Sequence, residues 1–109
     1  MAYDAPLVDR IRRHLEEREG LTEKKMFGGL CFLLHGNMCC GVHEDTLFLR
    51  LDREKAAQAV EEPLVEFCDF TGRVMKTMVQ IPPEALAQDD DLARWVDRSV
   101  EVASALPPK

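Results

Sequence analysis

The chain has 109 residues, 46% of them hydrophobic and 31% charged, which is typical of one ordinary globular domain and excludes a disordered segment. Fourteen basic residues against twenty acidic ones give a net charge of −6, which argues against a broad surface for nucleic-acid phosphates. The longest apolar run, residues 30–34, is far shorter than the ~20 residues of a membrane helix, and residues 1–4 do not resemble a signal peptide.

An amphipathic helix is predicted near the start of the chain. Asp4 can cap it, because its carboxylate can accept from free amides of the first turn. Gly20 is predicted to end it, since glycine easily adopts the left-handed conformation beyond a helix. The apolar residues recur at helical spacing. They are Leu7, Val8, Ile11 and Leu15.

The middle of the chain is predicted to form a three-stranded antiparallel meander. Its strands are residues 25–35, 38–43 and 46–51, and its turns are Gly36-Asn37 and Glu44-Asp45. Gly36 and Asn37 both tolerate positive φ, as a two-residue hairpin turn requires. The pair Gly28-Gly29 interrupts the first strand and is interpreted as a β-bulge.

Counting from these turns assigns the side chains to two sheet faces. The predicted core face carries Cys31, Leu33, Met38, Cys40, Val42, Leu47, Leu49 and Leu51. The second face carries four further large apolar residues, Leu30, Phe32, Leu34 and Phe48, beside Cys39 and His43. A face open to water should be more polar than this, so another helix or a second copy of the protein must cover it. We therefore expect an interaction surface at these four residues and a homodimer.

The second half of the chain adds helices and strands in the order of an α+β domain. Asp52 is predicted to cap a helix over residues 53–62, which Pro63 ends. The predicted elements that follow are an extended segment 64–70, a turn at Thr71-Gly72-Arg73, a strand 75–81 and a final helix after Asp89, Asp90 and Asp91. The order is helix, three strands, helix, one or two strands, helix, which predicts an antiparallel sheet with flanking helices in a single domain, 1–109.

Four stretches of the sequence resemble the TfoX N-terminal domain family, which is also called the competence-regulator or Sxy N-terminal domain. They are Lys25-Met26-Phe27-Gly28-Gly29, Gly36-Asn37-Met38-Cys39-Cys40-Gly41-Val42, Asp69-Phe70-Thr71-Gly72-Arg73-Val74-Met75-Lys76 and Leu106-Pro107-Pro108-Lys109. The resemblance covers nearly the whole chain in the right order. The family often has Gly after the Met-Lys pair, where this chain has Thr77.

This resemblance implies an α+β fold of the secretion-chaperone-like type and a domain found in regulators of natural DNA uptake. Those longer proteins carry a second, helical C-terminal domain, so the resemblance implies a stand-alone copy of the first domain. It supplies no catalytic residues. We therefore expect a non-enzymatic regulatory or accessory module that binds a protein partner, without a cofactor and without direct nucleic-acid or membrane binding.

The four cysteines are expected to be free thiols in a cytoplasmic protein. Cys39 and His43 point the same way along a strand but lie ~13 Å apart, too far for one metal ion, and Cys40 should point to the opposite face. Cys39 is the most reactive candidate if the second face is uncovered, although no base lies beside it.

A small-ligand or anion site is the alternative functional hypothesis. Its candidate residues are Lys25, Gly28, Gly29, Arg73 and Lys76. The glycines could present backbone amides and the three basic residues could supply charge, provided that the two segments meet. A strand and not a helix follows the glycines, so they do not form a phosphate loop and a bulge explains them better. The Asp89–Asp91 run is explained by the start of a helix.

Overall fold

The computed structural model describes residues 4–15, 18–26, 28–69 and 72–107. Its helices are α1 Ala5–Leu15, α2 Arg53–Ala59 and α3 Asp89–Ser104, with a short 3₁₀ helix at Pro83–Leu86. Its strands are β1 Leu21–Met26, β2 Gly29–Leu34, β3 Asn37–His43, β4 Thr46–Arg50, β5 Glu66–Cys68 and β6 Met75–Ile81. Phe27 of the first family motif, Phe70 and Thr71 of the third, and residues 108–109 of the fourth lie outside the described residues.

The six strands form one antiparallel sheet in the order β1-β2-β3-β4-β6-β5. The first four strands are a meander, and β6 then joins β4 with the short β5 as the far edge. Together with the three helices this confirms the predicted α+β fold with an antiparallel sheet. The predicted order has four or five strands, whereas the described sheet has six.

The predicted first strand is wrong, because residues 25–35 contain parts of two strands. β1 begins at Leu21 and pairs with β2 as a hairpin, in which Leu21 lies opposite Leu34 and Met26 opposite Gly29. Gly28 therefore belongs to a hairpin connection rather than to a bulge within one strand. The sequence analysis missed β1 because its charged residues do not give the alternating apolar pattern of a strand. β1 is an edge strand, and charged side chains there prevent unwanted pairing with other chains.

The predicted hairpin turn between β2 and β3 is displaced by one residue. His35 and Gly36 are the two turn residues, with φ of 51° and 85°, and Leu34 lies opposite Asn37. Two consecutive positive φ values match the twist of the strands they connect. Asn37 is held in the strand because its side-chain amide, in a buried residue, donates to the Pro107 carbonyl at 2.9 Å.

The predicted faces of β2 are reversed, because β3 has one extra residue between the pairs Leu33–Met38 and Phe32–Cys40. Leu30, Phe32 and Leu34 point to the helices and are buried in the main core, whereas Cys31 and Leu33 point to the other side. Phe48 lies on that other side too, so the predicted grouping of Phe48 with the three β2 residues is wrong. The covering that the sequence required for Leu30, Phe32 and Leu34 is supplied by helices of the same chain.

The helices pack on one face of the sheet, which we call the helix side. The α1 stripe is buried there as predicted, and the Leu7 amide donates to the Asp4 carboxylate at 3.2 Å. The apolar face of α3 is buried against β2, β3 and β4, with Trp95 only 1% exposed at its centre. This is the largest side chain that is fully buried, and burial of a large aromatic ring is a major contribution to folding.

Most other predicted elements are confirmed. The Asp52 side chain accepts from the Lys55 amide at 2.7 Å and so caps α2, although α2 ends at Ala59, before the predicted boundary. The β6 strand has the predicted limits, and the Glu44-Asp45 turn joins His43 to Thr46. None of the helices in the described part of the chain is long and apolar enough to cross a membrane.

We predict that Gly29→Ala destabilises the fold by about 3 kcal/mol or more, because an added Cβ would overlap the Val42 carbonyl oxygen of the neighbouring strand. Gly72→Ala is the control. Gly72 has a φ of 79° but open space around it, so only the backbone cost of about 1 kcal/mol applies. Urea denaturation measures both free energies of unfolding. Equal losses for the two variants would contradict the close packing of the β1–β2 hairpin on β3.

Candidate functional site

The structure does not bring the predicted anion-site residues together. Lys25 lies on the edge strand β1, and Gly28 and Gly29 lie beside it in the hairpin. Arg73 and Lys76 belong to the β5–β6 end of the sheet. Three strands separate β1 from β6, so the two halves lie ~19 Å apart along the sheet at the usual strand spacing. Lys76 stands over the Phe67 ring at 4.8 Å.

The sheet face away from the helices carries a second apolar cluster, which we call the outer cluster. Its members are Cys31, Leu33, Met38, Phe48, Cys68, Met75 and Met78. No residue of the described helices belongs to it. Leu33, Met38 and Met75 are half-buried and the other four are buried. The Phe48 ring packs over Gly41 on the adjacent strand.

One row of directly paired residues crosses this outer face from edge to edge. In order from β1 to β5 the row is Lys24, Cys31, Gly41, Phe48, Gln80 and Glu66. Directly opposed residues of antiparallel strands point to the same side of a sheet. The row therefore has an exposed cation at one edge, an exposed carboxylate at the other and an apolar centre.

Two thiols meet on the helix side of β3, which the sequence analysis did not predict. Between the pairs Phe32–Cys40 and Leu33–Met38, β3 has one residue more than β2, so Cys39 is the extra residue of a β-bulge. A regular strand sends neighbouring side chains to opposite faces, but this bulge sends both thiols into the main core. The prediction that Cys39 and Cys40 lie on opposite faces is therefore wrong.

The Cys39 thiol is linked to α3 by hydrogen bonds. The Ser99 hydroxyl donates to the Val96 carbonyl at 2.7 Å, so its oxygen is left to accept from the Cys39 thiol at 3.2 Å. Hydrogen bonding to the Cys40 thiol lowers the pKa of Cys39, against burial, which raises it, and the Arg18 charge lowers it further. Hydrogen bonding to Cys39 and burial both raise the pKa of Cys40.

The other two thiols, Cys31 and Cys68, are less reactive because they stay protonated. All four cysteines are free and buried. Burial raises the pKa of Cys31 to about 11, and burial together with the Asp69 charge raises the pKa of Cys68 to about 12. These two are protonated at neutral pH and fill the outer cluster as small apolar groups.

Most basic residues of α1 are paired with carboxylates. Arg10 contacts Asp89 at 3.0 Å, Arg12 contacts Glu23 at 2.7 Å, and the His14 ring lies 2.7 Å from Asp97. Arg10 also donates to the Leu86 carbonyl, which ties α1 to the 3₁₀ helix. Among the described residues, no group of three histidine, cysteine or carboxylate side chains could hold a metal ion.

An open cavity of about 440 Å³ lies where the C-terminal ends of α1 and α3 approach the β2–β3 turn. It is lined by His14, Arg18, Glu19, Leu34, His35 and Ser104. Arg18 is the lining residue whose charge acts on Cys39. Arg18 is exposed, so the charge that acts on Cys39 lies at the protein surface.

Comparison with known proteins gives one match. The model of the TfoX N-terminal domain family matches residues 13–103, which is most of the chain. No curated protein and no solved structure matches the chain.

We predict that stability falls as pH rises from about 9 towards 11, because the unfolded chain then ionises thiols that stay protonated at Cys31 and Cys68 in the folded state. Because the pKa of each thiol is raised in the folded state, it contributes stability below about pH 9, and this contribution is lost as the pH rises. Each thiol changes the slope by at most about 1.4 kcal/mol per pH unit. Urea denaturation at several pH values should show a shallower slope for Cys31→Ser/Cys68→Ser.

The matched control is Val65→Ala, a buried substitution that removes no ionisable group. It should lower the stability by a similar amount at every pH and leave the slope unchanged. An unchanged slope in the double cysteine variant would contradict the raised thiol pKa values.

Proposed function

Because the chain belongs to the TfoX N-terminal domain family, we propose that it is a regulatory or accessory module of the competence-regulator type that acts by binding protein, not by catalysis. The observation that carries the proposal is the outer cluster, an apolar sheet face on which no described helix packs. The four free cysteines support a location in the reducing cytoplasm.

The composition of the outer cluster suits a protein partner. Three of its seven members are methionines, whose flexible side chains adapt to different apolar surfaces. The partly exposed members Leu33, Met38 and Met75 supply the contact, and charged residues stand at both edges of the face. An apolar centre with a polar rim is the usual arrangement of a protein interface.

The partner we propose is a second copy of the chain. The outer row has Lys24 at one edge and Glu66 at the other, separated by five strand spacings or ~24 Å. A two-fold axis between the faces, parallel to β3 and β4, lays the β1 edge of one copy over the β5 edge of the other. Lys24 of each copy then meets Glu66 of its partner, so the face is self-complementary.

Direct nucleic-acid binding is not part of the proposal. The protein carries a net charge of −6, and the basic residues of α1 already contact Asp89, Glu23 and Asp97. A phosphate backbone would have to displace these carboxylates, so the existing ion pairs would be lost on binding. The small-anion alternative has less support than the interaction module, because its glycines and Lys25 lie several strands from Arg73 and Lys76.

We predict that the protein dimerises and that Lys24→Glu or Glu66→Lys raises the dimer dissociation constant about tenfold. Each single change replaces two exposed attractions with two repulsions, worth about 1.4 kcal/mol together. The double variant Lys24→Glu/Glu66→Lys restores the pairs with exchanged signs and should recover the wild-type constant. Sedimentation equilibrium at low salt measures all four proteins.

The matched control is Arg53→Glu, which makes the same charge change as Lys24→Glu but on exposed α2, away from the outer face. It should leave the dissociation constant within about twofold of the wild type. A wild-type protein that stays monomeric at millimolar concentration, or a double variant no better than the single ones, would contradict the second copy as partner.

The regulatory role is tested separately, in the organism that encodes the chain. Deletion of the gene is expected to alter the expression of DNA-uptake genes, measured by transcript levels. A wild-type copy should restore them and the Lys24→Glu copy should not. Unchanged transcripts after deletion would remove the competence role and leave the dimer measurement unaffected.

A further inference from the structure

The bulge in β3 places two neighbouring thiols on one side of a strand, against a helix. Cys39 and Cys40 both lie in the main core on the helix side, and Cys39 donates to Ser99 of α3 at 3.2 Å. Packing alone does not require this arrangement, because a regular strand would bury one thiol on each side of the sheet. The bulge instead creates a dithiol at the contact between β3 and α3.

The two sulfurs have different chemical tendencies. Hydrogen bonding to Cys40 and the charge of the exposed Arg18 lower the pKa of Cys39 and favour its thiolate, against the burial that raises it. Cys40 is fully buried and keeps its proton. One member of the pair is therefore suited to attack an electrophile first, and the other is placed to attack the product.

We propose that Cys39 and Cys40 form a peroxide-sensitive dithiol that oxidises to a vicinal disulfide and weakens the attachment of α3 to the sheet. The oxidant is hydrogen peroxide, which is small enough to enter during local opening near the cavity that Arg18 lines. The inference is independent of the proposed dimer, because both thiols lie on the helix side.

The chemistry has two steps. The Cys39 thiolate attacks one peroxide oxygen, the S–O bond forms, the O–O bond breaks, and the departing hydroxide takes a proton to become water. Cys40 then attacks the sulfur of the sulfenic acid. The S–S bond forms, the S–O bond breaks, and the departing hydroxide takes the Cys40 proton to give a second water. Two thiols lose two electrons, and one peroxide gains them.

The oxidised form should be reversible and less stable. Adjacent Cα atoms are ~3.8 Å apart, closer than an unstrained disulfide allows, so common thiol reductants should reopen the bond. Oxidation also removes the proton that Cys39 donates to Ser99, so the hydrogen bond between β3 and α3 is lost. We expect a lower Tm after oxidation and recovery after reduction.

We test the proposal on the native protein with a few molar equivalents of hydrogen peroxide, followed by alkylation after unfolding and peptide mass mapping. Cys39 and Cys40 should be the first thiols that can no longer be alkylated, and the peptide that contains them should be two hydrogen atoms lighter than its reduced form. Cys31 and Cys68 should still be alkylated. Cys40→Ser should stop at a sulfenic acid on Cys39, which dimedone traps. Cys39→Ser should slow oxidation of Cys40 at least tenfold.

Cys31→Ser/Cys68→Ser is the matched control, since it removes two buried thiols that we place outside the reaction. It should oxidise at the wild-type rate and give the same light peptide. Oxidation that begins at Cys31 or Cys68 in the wild type would overturn the proposal, and so would peroxide loss at equal rates in the wild type and Cys39→Ser. The wild-type peptide map decides the matter even where a variant does not fold.

Discussion

The one extra residue in β3, Cys39, determines which side of the sheet the β2 residues occupy. It places Phe32 opposite Cys40 and Leu30 opposite Val42, so these four side chains share the helix side. A regular β3 would exchange the two faces of β2, because side chains alternate with a period of two. The core under α3 and the outer cluster both depend on this bulge.

The elements specified by local signals could be predicted from the sequence. The first helix follows from a carboxylate cap and an apolar stripe, and α3 follows from the spacing of Leu92, Trp95, Val96 and Val100. The position of the turn depends on a distant contact instead. Asn37 favours positive φ by itself, but its amide donates to Pro107, seventy residues later in the chain, and this keeps it in β3. No local pattern contains that hydrogen bond.

The candidate sites depended on features that no local pattern encodes. The interaction surface was predicted for a regular β3, so the extra residue in that strand moved three of its four members into the core. The anion site required β1 and β6 to be neighbours, and strand order is not encoded in local pattern. The thiol pair was missed because the Cys39 bulge has no clear signature in the sequence. Two adjacent cysteines in a predicted strand were its only signal.

The third strand joins the two features that we assign to function. Its helix side holds Cys39 and Cys40 against α3, and its other side gives Met38 and Gly41 to the outer face. Met38 directly precedes the bulge, so the same short stretch of backbone carries the thiol pair and a member of the outer cluster. The two features share this backbone, although no side chain belongs to both. This connection arises because the sheet is a single layer, in which one strand supplies both faces.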